Sequence, residues 1–524
     1  MIRRHTIRPF VGLLAAWSLP ACGTPETGEP ADAALSVADA PVDEPTADAD
    51  PALQADAAPS GPDADAPPLD VGPDPDAGPP PDPDAGAAPP PELLAAAAEV
   101  EAAVRPWVEA GWLPAASVAL VAGPHAHFLD FGEISAARPE PPTPDALYAI
   151  GSVSKTFTGL LLADAVTRAE HTLETPLQTL LPEGVTAPDY RGTGITLGHL
   201  TTHTSALPRD AQDPDTPEPD WYADFTLENL WTWLAGVTLT RAPGETMEYS
   251  NAGVGLLGQV LARAAGADFE TVLHDRVTGP LALPNTLATL DPDHAAAFVP
   301  GRVDEVEVEY QNLAALSPAG GFVSSTRDMA RYLQFQTGAL TGPLDAALAR
   351  GQTPLHPVGE NMEIAYNWFV QTAPRYVFHD GAVPGHSTQV IFGPENDLGV
   401  VFLSASNTYA VYPLTNFALA RLAGVDVPAP EPPAEGALDP ARLDEYTGTF
   451  IVRPGLRFFV TRTESHLYFR LSGQNELRLY PDADADDAFY LRVVLARVTF
   501  ERDETGTVTR CILHQNGQTI RATR

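Results

Sequence analysis

The sequence predicts a mixed helix-and-strand globular domain carried on a long extended tether and followed by a small all-β module. Three observations predict it. Residues 23–91 contain no Lys or Arg and are rich in Pro, Asp and Ala; helical and strand periodicities alternate from residue 92; the tail from residue 438 is built of short alternating runs. The 54 prolines among 524 residues are far more than a packed core uses, so part of this length lies outside any core.

The formal net charge of −39 excludes a nucleic-acid partner, because phosphate binding needs clustered Lys and Arg. Only two cysteines occur, Cys22 and Cys511, so neither a disulfide framework nor a cysteine-based zinc site can form. No cofactor and no metal are implied. The fold has to be held by its hydrophobic core.

Residues 1–22 read as an export signal. Arg3, Arg4 and Arg8 give a positive start, and Phe10 to Leu19 form an apolar run too short to span a bilayer. Leu19-Pro20-Ala21-Cys22 resembles a bacterial lipobox, which implies cleavage before Cys22 and a lipid on that residue; Pro20 is unusual in such a motif. Plain secretion with cleavage near Ala21 is the alternative. The expected location is the bacterial cell envelope, with a membrane contact through the lipid anchor.

Residues 23–91 follow as a spacer, with Asp-Pro-Asp-Ala-Gly at Asp74 and again at Asp82. Like-charged, Pro-rich chain stays extended because it has too little apolar surface to offset its ordering entropy. The Gly turn and closing Glu of a calcium loop do not accompany its aspartates.

In residues 92–425, Leu93, Leu94, Val100, Val104 and Trp107 recur at helical spacing, and Ser117 to Ala122 form a short apolar strand. Val427-Pro-Ala-Pro-Glu-Pro-Pro marks a second linker, residues 426–437. Residues 438–524 carry runs such as Arg457-Phe-Phe-Val-Thr and Leu467-Tyr-Phe-Arg-Leu, the pattern of a small all-β domain, with Cys511 as a buried apolar side chain.

The chemistry starts from a count. Lys155 is the one lysine in the chain, and it stands three residues after Ser152 in Gly151-Ser-Val-Ser-Lys-Thr-Phe-Thr. On a helix, i and i+3 share a face, which sets the amine against the hydroxyl. Arginine keeps its proton, whereas a desolvated lysine can lose it and accept the serine proton. Leu160, Leu161, Leu162 and Val166 continue an apolar helix, so Ser152 falls at its N-terminal end, where free backbone N–H groups favour a developing oxyanion. Ser-x-x-Lys alone arises by chance; a lone lysine landing in that frame argues for function.

Two further elements lie downstream. Glu248-Tyr249-Ser250-Asn251 offers a phenol to shuttle a proton and an amide to orient lysine and substrate. His379-Asp380-Gly381-Ala382 precedes the strand Thr388-Gln-Val-Ile-Phe, and Gly381 allows backbone to approach a ligand closely. Taken singly, each of these has a structural reading.

In this order, Gly-Ser-Val-Ser-Lys, Glu-Tyr-Ser-Asn and His-Asp-Gly resemble the three active-site motifs of the penicillin-binding-protein and class C β-lactamase family. Leu200-Thr-Thr-His-Thr-Ser-Ala-Leu-Pro, Ser317-Pro-Ala-Gly-Gly-Phe-Val-Ser-Ser-Thr-Arg-Asp and Leu398-Gly-Val-Val-Phe-Leu-Ser-Ala-Ser-Asn also resemble family segments. The resemblance implies an α/β (α+β) domain: an antiparallel sheet flanked by helices, plus an all-helical insert. It implies Ser152 as nucleophile, Lys155 and Tyr249 as base and proton shuttle, Asn251 as orienter, and the N–H groups of Ser152 and Ala382 as oxyanion hole. The implied partner is a small-molecule or peptide substrate.

The chain departs from the penicillin-recognising pattern at one place. His379 stands where those members carry a lysine that helps hold a substrate carboxylate, and in this it looks more like the esterase and D-aminopeptidase branches. A histidine is only partly charged at neutral pH. The reading is therefore a serine hydrolase of esters or D-amino-acid amides. The alternatives are a true β-lactamase or D-Ala-D-Ala carboxypeptidase, and, of another class, a non-catalytic sensor of wall peptides or β-lactams; the intact Ser152, Lys155 and Tyr249 oppose the last.

Three patterns mislead. Gly253-Val-Gly-Leu-Leu-Gly258 has dinucleotide-fingerprint spacing but follows a loop where the fingerprint needs a strand, so its glycines fit close helix packing. His125-Ala-His127 and His199-x-x-x-His203 have metal-like spacing without a helix-borne Glu.

Overall fold

The strand Ala115–Ala122 shows why this domain needs helices on two sides. Its odd members Ala115, Ala119 and Val121 enter one core, while Ala116, Val118 and Leu120 enter another. Strand side chains alternate in direction, so a strand apolar at both parities is covered on both faces. The same alternation holds at Val390, Ile391 and Phe392 and at Val400, Val401, Phe402 and Leu403.

The structure is a computed structural model that describes residues 88–211 and 222–524. Cys22, the export signal and all but the last residues of the tether lie outside the described residues. Eight strands form an antiparallel sheet in the order His125–Gly132, Ala115–Ala122, Leu398–Ser404, His386–Gly393, Arg375–Val383, Phe369–Thr372, Met362–Ile364 and His356–Gly359. One face is covered by the helices Pro91–Glu109 and Val411–Leu422. The other packs on a larger core that includes the helices Ser154–Thr167, Asn251–Ala265 and Thr326–Gln336.

The first helix follows its sequence pattern with one exception. Leu93, Val100, Val104 and Trp107 are buried, with Ala96, Ala97 and Ala103 completing the stripe, while Leu94 is 44% exposed. It falls a residue off the 3.6-residue face. The chain between the second and third strands in sequence holds the expected helical region, which also carries short two-stranded ladders such as Gly301–Val303 with Val306–Val308.

The C-terminal module is a closed eight-stranded barrel running from Gly448–Arg453 to Gln518–Thr523. Closure leaves no free edge for another chain to pair with. Its core takes Phe450, Phe458, Phe469, Val498 and the buried Cys511, whose thiol is pushed up by burial. Barrel and sheet domain meet through an aromatic stack: Trp112 lies on Tyr490 at 5.5 Å, Tyr490 on Tyr480 at 5.7 Å, and the Arg492 guanidinium covers Trp112 and Tyr480 while donating to the Gly111 carbonyl at 3.0 Å. The segment 426–437 is held against both parts. Trp107 Nε1 donates to the Pro430 carbonyl at 3.0 Å, and Gly436 N–H to that of Pro481 at 2.8 Å.

Candidate active site

Ser152 sits in a single 3-10 turn, Gly151–Val153, that runs directly into the helix Ser154–Thr167. Gly151 enters this turn at φ +53°, a left-handed conformation that glycine adopts without a Cβ clash. A Cβ there would come within 2.6 Å of the Ala382 nitrogen, and one at Gly381 within 2.0 Å of the Ile150 carbonyl oxygen. The two glycines therefore let the Arg375–Val383 strand lie against the turn that carries Ser152. Thr388 on the neighbouring strand donates its hydroxyl to the Ile150 carbonyl at 2.9 Å and ties the sheet to the same point.

Lys155 is fully buried, and its Nζ is hydrogen-bonded to Ser152 Oγ at 3.0 Å and to the Ala319 carbonyl. Burial first, and the Arg209 charge second, hold the amine well below the ordinary lysine range; Asp210 opposes this more weakly. Its Nζ lies 4.9 Å from the centre of the Tyr249 ring. Burial pushes the Tyr249 phenol up, with the neighbouring Ser152 acting more weakly the other way, so it is protonated at neutral pH. Serine, amine and phenol thus form one cluster.

Asn251 opens the helix Asn251–Ala265, which Ser250 caps by accepting from the Gly253 N–H at 2.9 Å. Asn251 Nδ2 donates to Asp210 at 2.7 Å. It anchors the 209–210 segment beside Tyr249. Gly255 and Gly258 on the same helix face Leu316 and Pro318 at distances a Cβ would not permit, the close packing expected of them.

His379 is buried in the Arg375–Val383 strand, 2% exposed. Its Nδ1 donates to the Asp380 carbonyl at 2.7 Å, which leaves Nε2 as a lone-pair acceptor with no hydrogen bond among the described residues. Burial, with Lys155 adding to it, pushes its pKa down to about 3. The sequence suggests a partly charged group, whereas this imidazole is neutral. Asp380 accepts from Gln389 at 2.8 Å, and burial raises it to about 6.

Arg209 and Asp210 escaped the sequence reading, and His203 entered it only as half of a metal-like spacing and within a family-like stretch. His203 stacks on Tyr249 at 4.3 Å and accepts the Ser250 N–H on Nδ1 at 3.1 Å. Arg209 stands over the Tyr249 ring at 5.1 Å, beside Asp210. The signal was near: the family-like stretch Leu200 to Pro208 ends one residue before Arg209. His199 takes the Thr196 N–H as part of a capping box, so both histidines of the His199/His203 pair have structural partners. Among the described residues no three His, Cys, Asp or Glu side chains are grouped to hold a metal.

A serine hydrogen-bonded to a buried amine with a phenol beside it, set against the strand of a helix-flanked antiparallel sheet, describes a serine hydrolase that works by acyl transfer. The chain belongs to the Beta-lactamase family, whose profile matches residues 100–425. It is 32% identical over 207 residues to the D-alanyl-D-alanine-carboxypeptidase/endopeptidase AmpH of Escherichia coli (strain K12), an alignment covering 40% of this chain and 53% of that protein. The chain thus spans about half the length of AmpH. To Penicillin-binding protein 4* of Bacillus subtilis (strain 168) it is 26% identical over 428 residues, 76% of this chain and 91% of the relative. Among solved structures, a class C β-lactamase from Rhodobacter sphaeroides shares the fold with a TM-score of 0.54 at 23% identity, over 62% of this chain and 98% of that one. A β-lactamase/D-alanine carboxypeptidase from Pseudomonas syringae does so at 0.55 and 22%, over 64% and 100%.

Proposed function

We propose that the protein is an exported, lipid-anchored hydrolase that cleaves an ester or a D-amino-acid amide through an acyl-enzyme on Ser152. The observation that carries this reading is the 3.0 Å contact between Ser152 Oγ and the buried Nζ of the chain's one lysine. Ser152 Oγ attacks the substrate carbonyl carbon and its proton passes to the neutral Lys155. The oxyanion is held by the N–H groups of Ser152 and Ala382, with Gly381 admitting the strand to this distance. Tyr249 gives its proton to the leaving oxygen or nitrogen and is reprotonated from Lys155. Water then attacks the acyl carbon, its proton passes through the same pair to Ser152 Oγ as the acyl C–O bond breaks, and the acid product leaves with Lys155 neutral and Tyr249 protonated again. Asn251 acts indirectly, by holding Asp210.

The choice of ester or D-amino-acid amide over β-lactam rests on His379, which is neutral and buried and offers no cation to a carboxylate at the strand. A second reading, β-lactamase or D-Ala-D-Ala carboxypeptidase, is supported by the names of relatives such as AmpH. Anchoring through Cys22, with residues 23–91 as a spacer, completes the proposal; among the described residues no helix is long and apolar enough to cross a membrane. The test is labelling with a fluorescent acylating probe, followed by turnover of p-nitrophenyl esters, D-amino-acid amides and nitrocefin. An enzyme that takes up no probe and turns over none of the panel would refute it.

A further inference from the structure

Resting on that reading, we propose that Asn367 is the positioning residue that holds the base Lys155 and the phenol Tyr249 in register. Serine and lysine come from one turn and the helix it enters, but Tyr249 comes from a separate loop, so the two carriers have to be fixed against each other. Asn367 touches both. It lies in the turn between the strands Met362–Ile364 and Phe369–Thr372, with no exposure to water. Its side-chain Nδ2 donates to the Lys155 carbonyl at 3.0 Å. Its main-chain N–H donates to the Thr201 carbonyl at 3.2 Å and to that of Ala365 at 3.0 Å.

Thr201 leads into the segment on which the phenol hangs. Two residues on, the His203 carbonyl accepts the Glu248 N–H at 2.8 Å and the His203 ring accepts that of Ser250 at 3.1 Å, so both sequence neighbours of Tyr249 are held by one residue. The ring of His203 also stacks on Tyr249. On the other side, the turn meets the lysine helix at a second point. A Cβ at Gly159, one helical turn after Lys155, would come within 2.0 Å of the Tyr366 carbonyl oxygen.

The choice of residue supports this role. Asn367 has φ +62°, a left-handed conformation that asparagine tolerates and glycine takes at no steric cost. Its Oδ1 is buried with no hydrogen bond among the described residues, as is the Thr201 hydroxyl. A half-satisfied buried amide costs stability. Glycine would form the same turn and bury no amide, so what asparagine adds is the donor to Lys155.

Loss of that donor reaches the amine through hydration. The space left beside the Lys155 carbonyl and the Thr201 hydroxyl is polar and takes up water. Burial is the main cause of the lowered lysine pKa, so water there favours the ammonium and raises it. The ionisable groups that face the amine are Arg209, Asp210, His203, His379 and Tyr249, and a substitution at Asn367 alters none of them chemically.

The experiment uses the full chain and its one lysine. Protein labelled with carbon-13 at lysine Cε gives a single resonance, whose titration is that of the base. Asn367→Gly keeps the turn and deletes the amide. In this variant kcat for a p-nitrophenyl ester is expected to fall about three- to tenfold with KM within about twofold, and the lysine titration and the acidic limb of kcat/KM both move to higher pH. Val370→Ala, which weakens the same core from the adjoining strand, lowers the thermal midpoint and leaves both titrations in place. If the glycine variant does not fold, Asn367→Asp decides by the same criterion, since an ionised carboxylate cannot donate to the Lys155 carbonyl and favours the ammonium. A lysine that titrates as in the wild type, or a loss confined to KM, overturns the proposal. A Ser152→Ala variant that still turns over the ester overturns the underlying reading instead.

Discussion

Lys155 Nζ and Ser152 Oγ are 3.0 Å apart, and the lysine side chain has no exposure to water. A charged ammonium in that position would be desolvated with no carboxylate in hydrogen-bond contact among the described residues, since its other partner is the Ala319 carbonyl. The contact and the lowered lysine pKa are two aspects of one arrangement. Each strengthens the reading of Lys155 as a base.

The first prediction concerns the nucleophile. Ser152→Ala abolishes covalent labelling by an acylating probe and leaves the thermal midpoint near that of the wild type, because the side chain is small and partly exposed. Labelling at the wild-type level in this variant would show that another residue is acylated.

The base is tested by charge rather than by size. Lys155→Arg keeps a cation but not a proton acceptor, so its kcat/KM falls below about a tenth of wild type, a loss above ~1.4 kcal/mol. Steady-state kinetics beside Lys155→Ala decide it: an arginine variant that is much more active than the alanine one contradicts general-base action.

The neutrality of His379 has a signature in selectivity. With its pKa near 3, the imidazole does not titrate between about pH 5 and 8, so in an Asp380→Asn background, which removes the neighbouring carboxyl raised to about 6, the ratio of ester to nitrocefin turnover is flat across that range. A ratio that in this background shifts toward nitrocefin as the pH falls through about 6.5 would mean that His379 gains charge and holds a carboxylate.

His379 also leaves a mark on stability. Its folded pKa lies below its unfolded value, so between about pH 6.5 and 3 the unfolded chain binds a proton that the folded one refuses, and stability falls as the pH falls. His379→Gln removes this contribution. The unfolding free energy of the wild type should drop relative to the variant by about 1 kcal/mol per pH unit in that window, measured by urea titration at several pH values. Asp380, raised to about 6, acts in the opposite direction in both proteins and cancels in the difference.

Gly381→Ala tests the contact between strand and nucleophile turn. The new Cβ meets the Ile150 carbonyl, a backbone atom that cannot rotate away, so the strand must move by more than a side chain's adjustment. The expected loss is roughly 1–3 kcal/mol of stability together with most of the activity. Unchanged turnover would show that Ser152 does not depend on this strand.

Much of this was legible in local sequence because it depends on local physics. The 3.6-residue spacing from Leu93 to Trp107 gave the helix Pro91–Glu109, and the alternation in Leu467-Tyr-Phe-Arg-Leu gave the strand Leu467–Leu471. Ser152 and Lys155, three residues apart at a helix start, needed only helix geometry to be brought together. The apolar run from Ser117 to Ala122 gave the strand Ala115–Ala122, while the covering of both its faces emerged only in the fold.

What the sequence by itself determined is the chemistry that is possible: one lysine, beside one serine, in a chain of otherwise guanidinium cations. What only the tertiary structure decided is the environment of each group. That His379 is buried and neutral depends on Phe369 and Tyr249 around it, and that Arg209 stands over Tyr249 depends on a contact across 40 positions of sequence. Desolvation and charge act through space on whatever the fold brings near, and a motif records none of those neighbours.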